Sequence, residues 1–264
     1  MFSVPFDTLP LGDRQVDVWV ARPSEIQSAE LLARYRLLLT DAERGRVDRF
    51  RFEKDRHRAL VTRALVRTVL SRYVDLEPTL WCFGENEHGR PHITNSLAVA
   101  DDLSFNLSHT TDLIVLALSR RKIVGIDTEY LERKNATADI ANRYFAPSEV
   151  AELVQLPVVE QRERFFQYWT LKESYIKARG MGLALPLDGF AFALQTEGAI
   201  GFSVKPEVND VADRWRFWLF RESPQHFIAL CVERDAHVPQ IIMRDVAPLV
   251  SEGLATYPPI RETR

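Results

Sequence analysis

The chain has 264 residues, 46% of them hydrophobic and 27% charged, which is enough to bury a full core and excludes a disordered chain. A formal net charge of −3 excludes a general nucleic-acid binder, which neutralises phosphates with a basic surface, so an anionic ligand would be held by a local cluster. Cys82 and Cys231 are the only cysteines and lie far apart, excluding a disulfide framework or a Cys-rich zinc site, and no apolar run approaches the roughly 18 residues that span a bilayer.

In chain order, Val16 to Val20 has strand alternation, and Glu25 to Leu39 carries Leu31, Leu32, Tyr35 and Leu38 at helical spacing. Thr40 with Glu43 three residues on is a capping-box pattern that opens a second helix, and a long third helix is predicted over Asp55 to Tyr73. Leu80 to Phe83 reads as a strand and Glu87 to Pro91 as a turn around Gly89. Leu113 to Leu118 and Ile123 to Asp127 read as an antiparallel pair joined through Ser119 to Lys122. Helices follow over Ala136 to Tyr144, Pro147 to Leu156 and Glu160 to Arg179, the last ended by Gly180 and Gly182. Strands are then expected at Phe190 to Leu194, Trp215 to Phe220 and Phe227 to Val232, before a loosely packed tail from Pro239. Strand, helices, long helix and strands thus occur twice, which predicts an α+β fold of two similar halves meeting near residue 124.

Three segments carry candidate chemistry. In Gly125-Ile126-Asp127-Thr128-Glu129 the two carboxylates sit two apart on a strand and share one face, where they could grip a divalent cation or simply end a strand at the surface. In Trp169-Thr170-Leu171-Lys172-Glu173-Ser174-Tyr175-Ile176-Lys177 helical spacing aligns Trp169, Glu173 and Lys177, either as a functional carboxylate and ammonium or as an ordinary i,i+4 pair. In Phe105-Asn106-Leu107-Ser108-His109-Thr110 the hydroxyl and imidazole cannot form a hydrolase pair, because adjacent strand residues point to opposite faces. Phosphate binding suits them better, with loop-backbone hydrogen bonding as the plain alternative. An arginine-rich run extends from Arg44 and Arg46 through Arg58 to Arg63 and Arg67; most of it reads as solvated helix face, although guanidinium groups are preferred phosphate clamps.

Taken in order with Gly89-Arg90-Pro91, these segments resemble the 4′-phosphopantetheinyl transferases of the large, surfactin-synthetase-activating type. Asp55-Arg56-His57-Arg58, Arg143-Tyr144-Phe145 with Glu149, and Gly180-Met181-Gly182-Leu183-Ala184-Leu185-Pro186-Leu187 are similar to that family's pattern as well. The resemblance, which covers about Thr40 to Phe192, implies a pseudo-dimer of α+β halves, residues 1–124 and 125–264, with the active site in the cleft between them. It also implies that Asp127, Glu129 and Glu173 bind Mg²⁺, with Mn²⁺ as a substitute. Lys177 would contact the phosphates of coenzyme A, and Ser108, His109 and Arg90 would hold its 3′-phosphate and diphosphate, with Arg46 and Arg58 at the nucleotide end. One position departs: Glu43 stands where related enzymes often carry a basic residue, which counts against Arg46.

The implied reaction is attack by a carrier-protein serine on the β-phosphate of coenzyme A, with loss of 3′,5′-ADP. Positioning and charge neutralisation supply most of the catalysis. Glu173 is the first candidate for the base and Glu149 the second. The implied partners are apo acyl- or peptidyl-carrier domains of fatty-acid, polyketide or nonribosomal peptide synthesis, with no nucleic acid or membrane, and the enzyme is expected to be a cytoplasmic monomer. A non-catalytic coenzyme A or carrier binding module and a Mg²⁺-dependent nucleotide phosphohydrolase are the alternatives.

Overall fold

A computed structural model of the chain describes residues 7–96, 102–133 and 138–263; the predicted helix start at Ala136 lies outside them. Strand β1 (Gln15–Ala21) alternates Val16, Val18 and Val20 on one face with Asp17 and Trp19 on the other, all buried. Pro23 opens a 3₁₀ turn over Pro23–Glu25, so α1 (Ala29–Leu38) begins four residues later than its apolar spacing predicts, at the Ser28 cap. The Thr40 capping box forms as the sequence requires: the Thr40 hydroxyl accepts from the Glu43 N–H and the Glu43 carboxylate accepts from the Thr40 N–H, opening α2 (Asp41–Asp48). Such a cap stabilises a helix by about 1 kcal/mol. Next comes α3 (Glu53–Leu70).

The expected strand at Leu80 to Phe83 is not formed. Pro78–Leu80 is a 3₁₀ turn that buries Trp81, whose indole N–H donates to Ser71 Oγ at 2.9 Å, and the chain enters the short β2 (Phe83–Glu85) and β3 (Pro91–Ile93) hairpin only afterwards. β4 (Leu103–Thr110), β5 (Leu113–Arg120) and β6 (Val124–Tyr130) complete the first stretch. α4 (Ala138–Tyr144), α5 (Pro147–Gln155) and the 22-residue α6 (Val158–Arg179) follow, and Gly180 ends α6 at φ +64°. The remaining strands are β7 (Phe190–Ala193), β8 (Gly201–Val204), β9 (Trp215–Ser223), β10 (His226–Glu233), β11 (Gln240–Ala247), β12 (Ser251–Ala255) and β13 (Pro259–Glu262).

Two sheets organise the core, one ordered β12-β11-β1-β5-β4 and the other β13-β9-β10-β6. The predicted pairing of β5 with β6 is therefore corrected. β5 lies between β1 and β4, β6 pairs with β10, and the turn through Arg121, at φ +56°, carries the chain from one sheet to the other. β5 is buried on both faces over Leu113–Ser119, and an apolar run of that kind specifies burial without specifying its neighbours. Val18 and Val115 face Ile126, Ile228 and Leu230 in a core between the sheets. Trp19 and Leu116 face α1 and α3 in a second core; Phe227 and Ala229 face α6 in a third. The layers run helix, sheet, sheet, helix, giving a mixed α+β fold.

The tail is also corrected. β11 runs parallel to β1 with Val18 opposite Met243, and Met243 is buried. Arg22 fastens it, donating to Asp245 Oδ1 at 3.1 Å and Tyr257 Oη at 2.8 Å. The expectation of loose packing fails because the partner strand lies at the far end of the chain, where local pattern has no reach. Among the described residues no helix is long and apolar enough to cross a membrane.

Candidate active site

Edge strand β4 of the first sheet lies beside β6 of the second, and α6 crosses over β6. Contact with α6 is backbone to backbone at Gly125, where a Cβ would stand 2.1 Å from the Ser174 carbonyl oxygen and 2.4 Å from the Ala178 nitrogen. Only glycine permits that approach, and it brings the end of α6 against the β6 carboxylates.

There the Lys177 ammonium donates to Asp127 Oδ1 at 2.6 Å and to Ser108 Oγ at 2.6 Å, while the Ser108 hydroxyl donates to the same Asp127 oxygen at 2.8 Å. Glu129, two residues along the strand on the same face, accepts from Trp169 Nε1 at 3.1 Å through Oε1. The Trp169 ring is stacked on Phe165, with centroids 5.9 Å apart. The other oxygens, Asp127 Oδ2 and Glu129 Oε2, are buried and have no hydrogen-bond partner among the described residues. Burial, and then the Asp127 charge, push both the Glu129 and the Glu173 carboxyls up to about 7.

Orphaned buried carboxylate oxygens are costly unless something meets them. Hard oxygen donors of this kind suit Mg²⁺, which often takes only one or two carboxylates and fills its other positions with water and substrate phosphate. Among the described residues no three His, Cys, Asp or Glu side chains converge closely enough to hold an ion by themselves. The donor set therefore fits an ion shared with a phosphate ligand, not a closed protein cage.

A cavity of about 640 Å³ opens from this group. Glu173, Ile176 and Lys177 line it from α6; Arg46, Phe50 and Arg63 are among the lining residues contributed by the helical region before β2. His109 lines it from β4, whereas Ser108, on the opposite face of that strand, turns to Asp127. The His109 imidazole is pushed below its ordinary value by burial and by the nearby Arg58 and Lys177 charges.

The sequence-predicted residues divide into three groups. Asp127, Glu129, Glu173, Lys177 and Ser108 come together, with His109 close by. Arg46, 3.8 Å from Glu85, lines the cavity's helical side, whereas Arg58, paired with Asp55 at 2.8 Å, is not among the lining residues and reaches the site only through its charge on His109. Arg90 lines the cavity too, but its guanidinium donates to the carbonyls of Lys177, Ala178 and Val124 at 2.6–3.0 Å, capping the end of α6. Glu149 does not belong to the site: it is fully buried, 2.9 Å from Lys172 Nζ, and accepts from the N–H groups of Ala146 and Phe192. Such a carboxylate holds the core together and cannot reach a substrate, so it is withdrawn as a base. Glu43 is likewise consumed by structure, taking both Nε and Nη2 of buried Arg67 at 3.1 and 2.7 Å.

The sequence did not single out His88, which lines the cavity, and placed Arg49 and Arg63, which also line it, only within the arginine run. A signal existed for Arg63: Ala59, Thr62 and Arg63 line the cavity together at i, i+3 and i+4 on α3.

An α+β fold with carboxylates and a lysine at the head of an arginine-lined cavity defines a protein built for a phosphorylated ligand. Residues 22–121 match the family model described as 4′-phosphopantetheinyl transferase, N-terminal, and residues 123–231 match that of the 4′-phosphopantetheinyl transferase superfamily. The chain is 36% identical over 162 residues to a 4′-phosphopantetheinyl transferase of Bacillus subtilis, covering 61% of this chain and 69% of the relative. It is 32% identical to the 4′-phosphopantetheinyl transferase Sfp of Bacillus subtilis, covering 71% of this chain and 79% of that one. A phosphopantetheinyl transferase of a Thraustochytrium species is 31% identical over 240 residues, 84% of this chain and 80% of the relative. The chain belongs to the 4′-phosphopantetheinyl transferase family, and its reaction moves the 4′-phosphopantetheine arm of coenzyme A onto a carrier protein.

Proposed function

We propose that the transfer takes place at the head of the cavity, with Asp127, Glu129 and Glu173 as the Mg²⁺ ligands and Lys177 as a contact to the diphosphate of coenzyme A. The observation that carries this is the pair of buried oxygens, Asp127 Oδ2 and Glu129 Oε2, that accept no hydrogen bond among the described residues beside the Lys177 ammonium, the second meeting only an Arg133 guanidinium at 3.7 Å. Mg²⁺ bound there would supply Lewis-acid and template chemistry to the diphosphate.

The chain's own groups do the rest. Lys177, held between Ser108 and Asp127, presents a fixed positive charge to the phosphates. Glu173 lines the cavity and takes the proton of the carrier serine, directly or through a water, as that oxygen bonds to the β-phosphorus and 3′,5′-ADP leaves. His109 and Arg46 meet the nucleotide end from the cavity wall, Arg58 adds its charge beside His109, and Arg90 acts there chiefly by holding the end of α6. In this reading residues 1–124 and 125–264 each supply one wall of the site, with β11 and β12 of the second half returning to the sheet of the first. The recipients are the serine-bearing carrier domains of acyl or peptidyl chain synthesis.

The test is the mass of a purified apo carrier domain after incubation with this protein, coenzyme A and Mg²⁺, with a parallel sample in EDTA. A gain of one phosphopantetheine arm that EDTA abolishes supports the reading. Release of 3′,5′-ADP without any carrier, and no gain on the carrier, would replace it with hydrolysis.

A further inference from the structure

A second cleft, of about 340 Å³, opens where the two sheets end, and it shares no lining residue with the first. Asp13, just before β1, lines it from one sheet, residues 120–122 from the crossover turn, and residues 233–235 from the end of β10. Its place follows from strand register. Trp218 on β9 and Val232 on β10 belong to the core between the sheets. Arg216 stands opposite Val232, two residues before Trp218, and Arg234 lies two residues past Val232, where its N–H still donates to the Arg214 carbonyl at 2.7 Å. Strand alternation therefore puts both arginines on the inter-sheet face, just beyond its last apolar layer, as diagonal neighbours. The Asp127 and Glu129 carboxylates lie toward the opposite end of β6 and on its other face.

The acids around this cleft are already matched. Asp13 and Asp102 face Arg121 at 3.6 and 3.0 Å, Asp235 faces Lys122 at 2.6 Å, and Glu233 accepts from Arg214 at 2.9 Å. Glu262, a further acid near Arg216, accepts from Trp218 Nε1 at 3.1 Å. Arg216 and Arg234 remain. Among the described residues neither guanidinium meets a hydrogen-bond acceptor or an ion-pair partner, and the Nε of each is buried. Burial, and then the charge of Arg234, hold Arg216 below the ordinary arginine value. Two partly desolvated cations side by side are unfavourable in the empty protein, and an anion entering the cleft relieves both.

We propose that this cleft is a second ligand site that takes a phosphate-class oxyanion, with Arg234 as the principal contact and Arg216 adding its charge behind. The planar fork of arginine offers paired N–H donors that match two oxygens of a tetrahedral anion. A water molecule's share of liquid volume is about 30 Å³, so the cleft has room for a small phosphate ester as well as for inorganic phosphate. The bound anion bridges the β5–β6 crossover and the end of β10, tying the two sheets together at the end remote from transfer. The site is independent of the coenzyme A reading of the first cavity.

The experiment is calorimetric titration of the full chain and of Arg234→Gln with inorganic phosphate and with glycerol 3-phosphate, at an ionic strength fixed with chloride so that general screening is constant. Wild type is expected to bind saturably. Arg234→Gln is expected to lose about 10–100-fold in affinity, the usual scale for a charge-assisted hydrogen bond. Arg234→Met, which keeps the apolar stem, replaces it if Arg234→Gln fails to fold. Tighter binding of glycerol 3-phosphate than of phosphate, lost in the variant, identifies an ester as the ligand; equal or weaker binding, also lost in the variant, identifies the free anion. No saturable binding by wild type to either probe overturns the proposal, and so does binding that the variant leaves unchanged, which would place the anion elsewhere on the protein.

Discussion

Lys177 and Asp127 share a 2.6 Å ion pair on one carboxylate oxygen, while the other oxygen of Asp127 is buried without any donor. One carboxylate oxygen is thus held in place, and in the proposed site the other is the one that would meet a cation. Asp127→Ala and Glu173→Ala are each expected to lower the transfer rate on the order of 100-fold or more, with the circular dichroism spectrum unchanged. A near-normal rate in either variant at saturating Mg²⁺ would remove that residue from the site.

Gly125 is the point on which α6 rests. A methyl group there would collide with the Ser174 carbonyl and the Ala178 nitrogen, both backbone atoms that no rotamer change can move. Gly125→Ala is expected to cost at least about 3 kcal/mol in urea unfolding. It also displaces Lys177 from Asp127, so whatever remains folded should be impaired in transfer. Wild-type stability in this variant would mean that α6 does not cross β6 in contact.

The Glu149–Lys172 pair is fully buried, and Lys172 also donates to the carbonyls of Leu187 and Phe190. Lys172→Met leaves a buried carboxylate without its ammonium and is expected to destabilise the fold by about 3–5 kcal/mol. Because neither side chain lines the cavity, the folded fraction should bind coenzyme A with wild-type affinity. A selective loss of affinity without loss of stability would return this pair to the active site.

His109 gives the pH dependence. It is exposed to the cavity but crowded by protein, and burial, Arg58 and Lys177 hold its imidazole below the ordinary histidine value of about 6.5. The unfolded chain therefore takes up this proton first as pH falls. The contribution of His109 to stability is complete above about 6.5 and is lost as pH drops from there through its folded value. Binding of a phosphate beside it should raise the pKa, so coenzyme A binding should tighten as pH falls through the interval between bound and free values. Nuclear magnetic resonance titration of the imidazole with and without 3′,5′-ADP measures both; an unmoved pKa would mean that no phosphate approaches His109.

Much of the candidate-site cluster was legible because its spacing is local. Asp127 and Glu129 share a face by strand alternation, Trp169, Glu173 and Lys177 by helix periodicity, and Thr40 with Glu43 announces a helix start that forms as written. Family likeness supplied the order of the segments. What failed was long-range. The β5–β6 hairpin looked natural from two apolar runs and a polar turn, yet each run found its partner in a different sheet. Glu149 fits a motif but is consumed by a lysine from another helix, and no spacing within α5 tells a catalytic carboxylate from a core one. Arg63 was hidden among arginines because what distinguishes it is that the nearby acids, Glu43 and Glu85, hold Arg67 and Arg46 instead, a property of three-dimensional packing.

The parallel register of β11 against β1 also has a meaning for synthesis. As the chain leaves the ribosome β1 emerges early, and one of its edges stays unpaired until residue 240 arrives. The first sheet therefore cannot mature as an autonomous amino-terminal unit during translation; its closure belongs to the last phase of production. An edge of Val16, Val18 and Val20 left open for so long is a template for unwanted strand pairing, so a nascent or carboxy-truncated chain should be the form most dependent on chaperones.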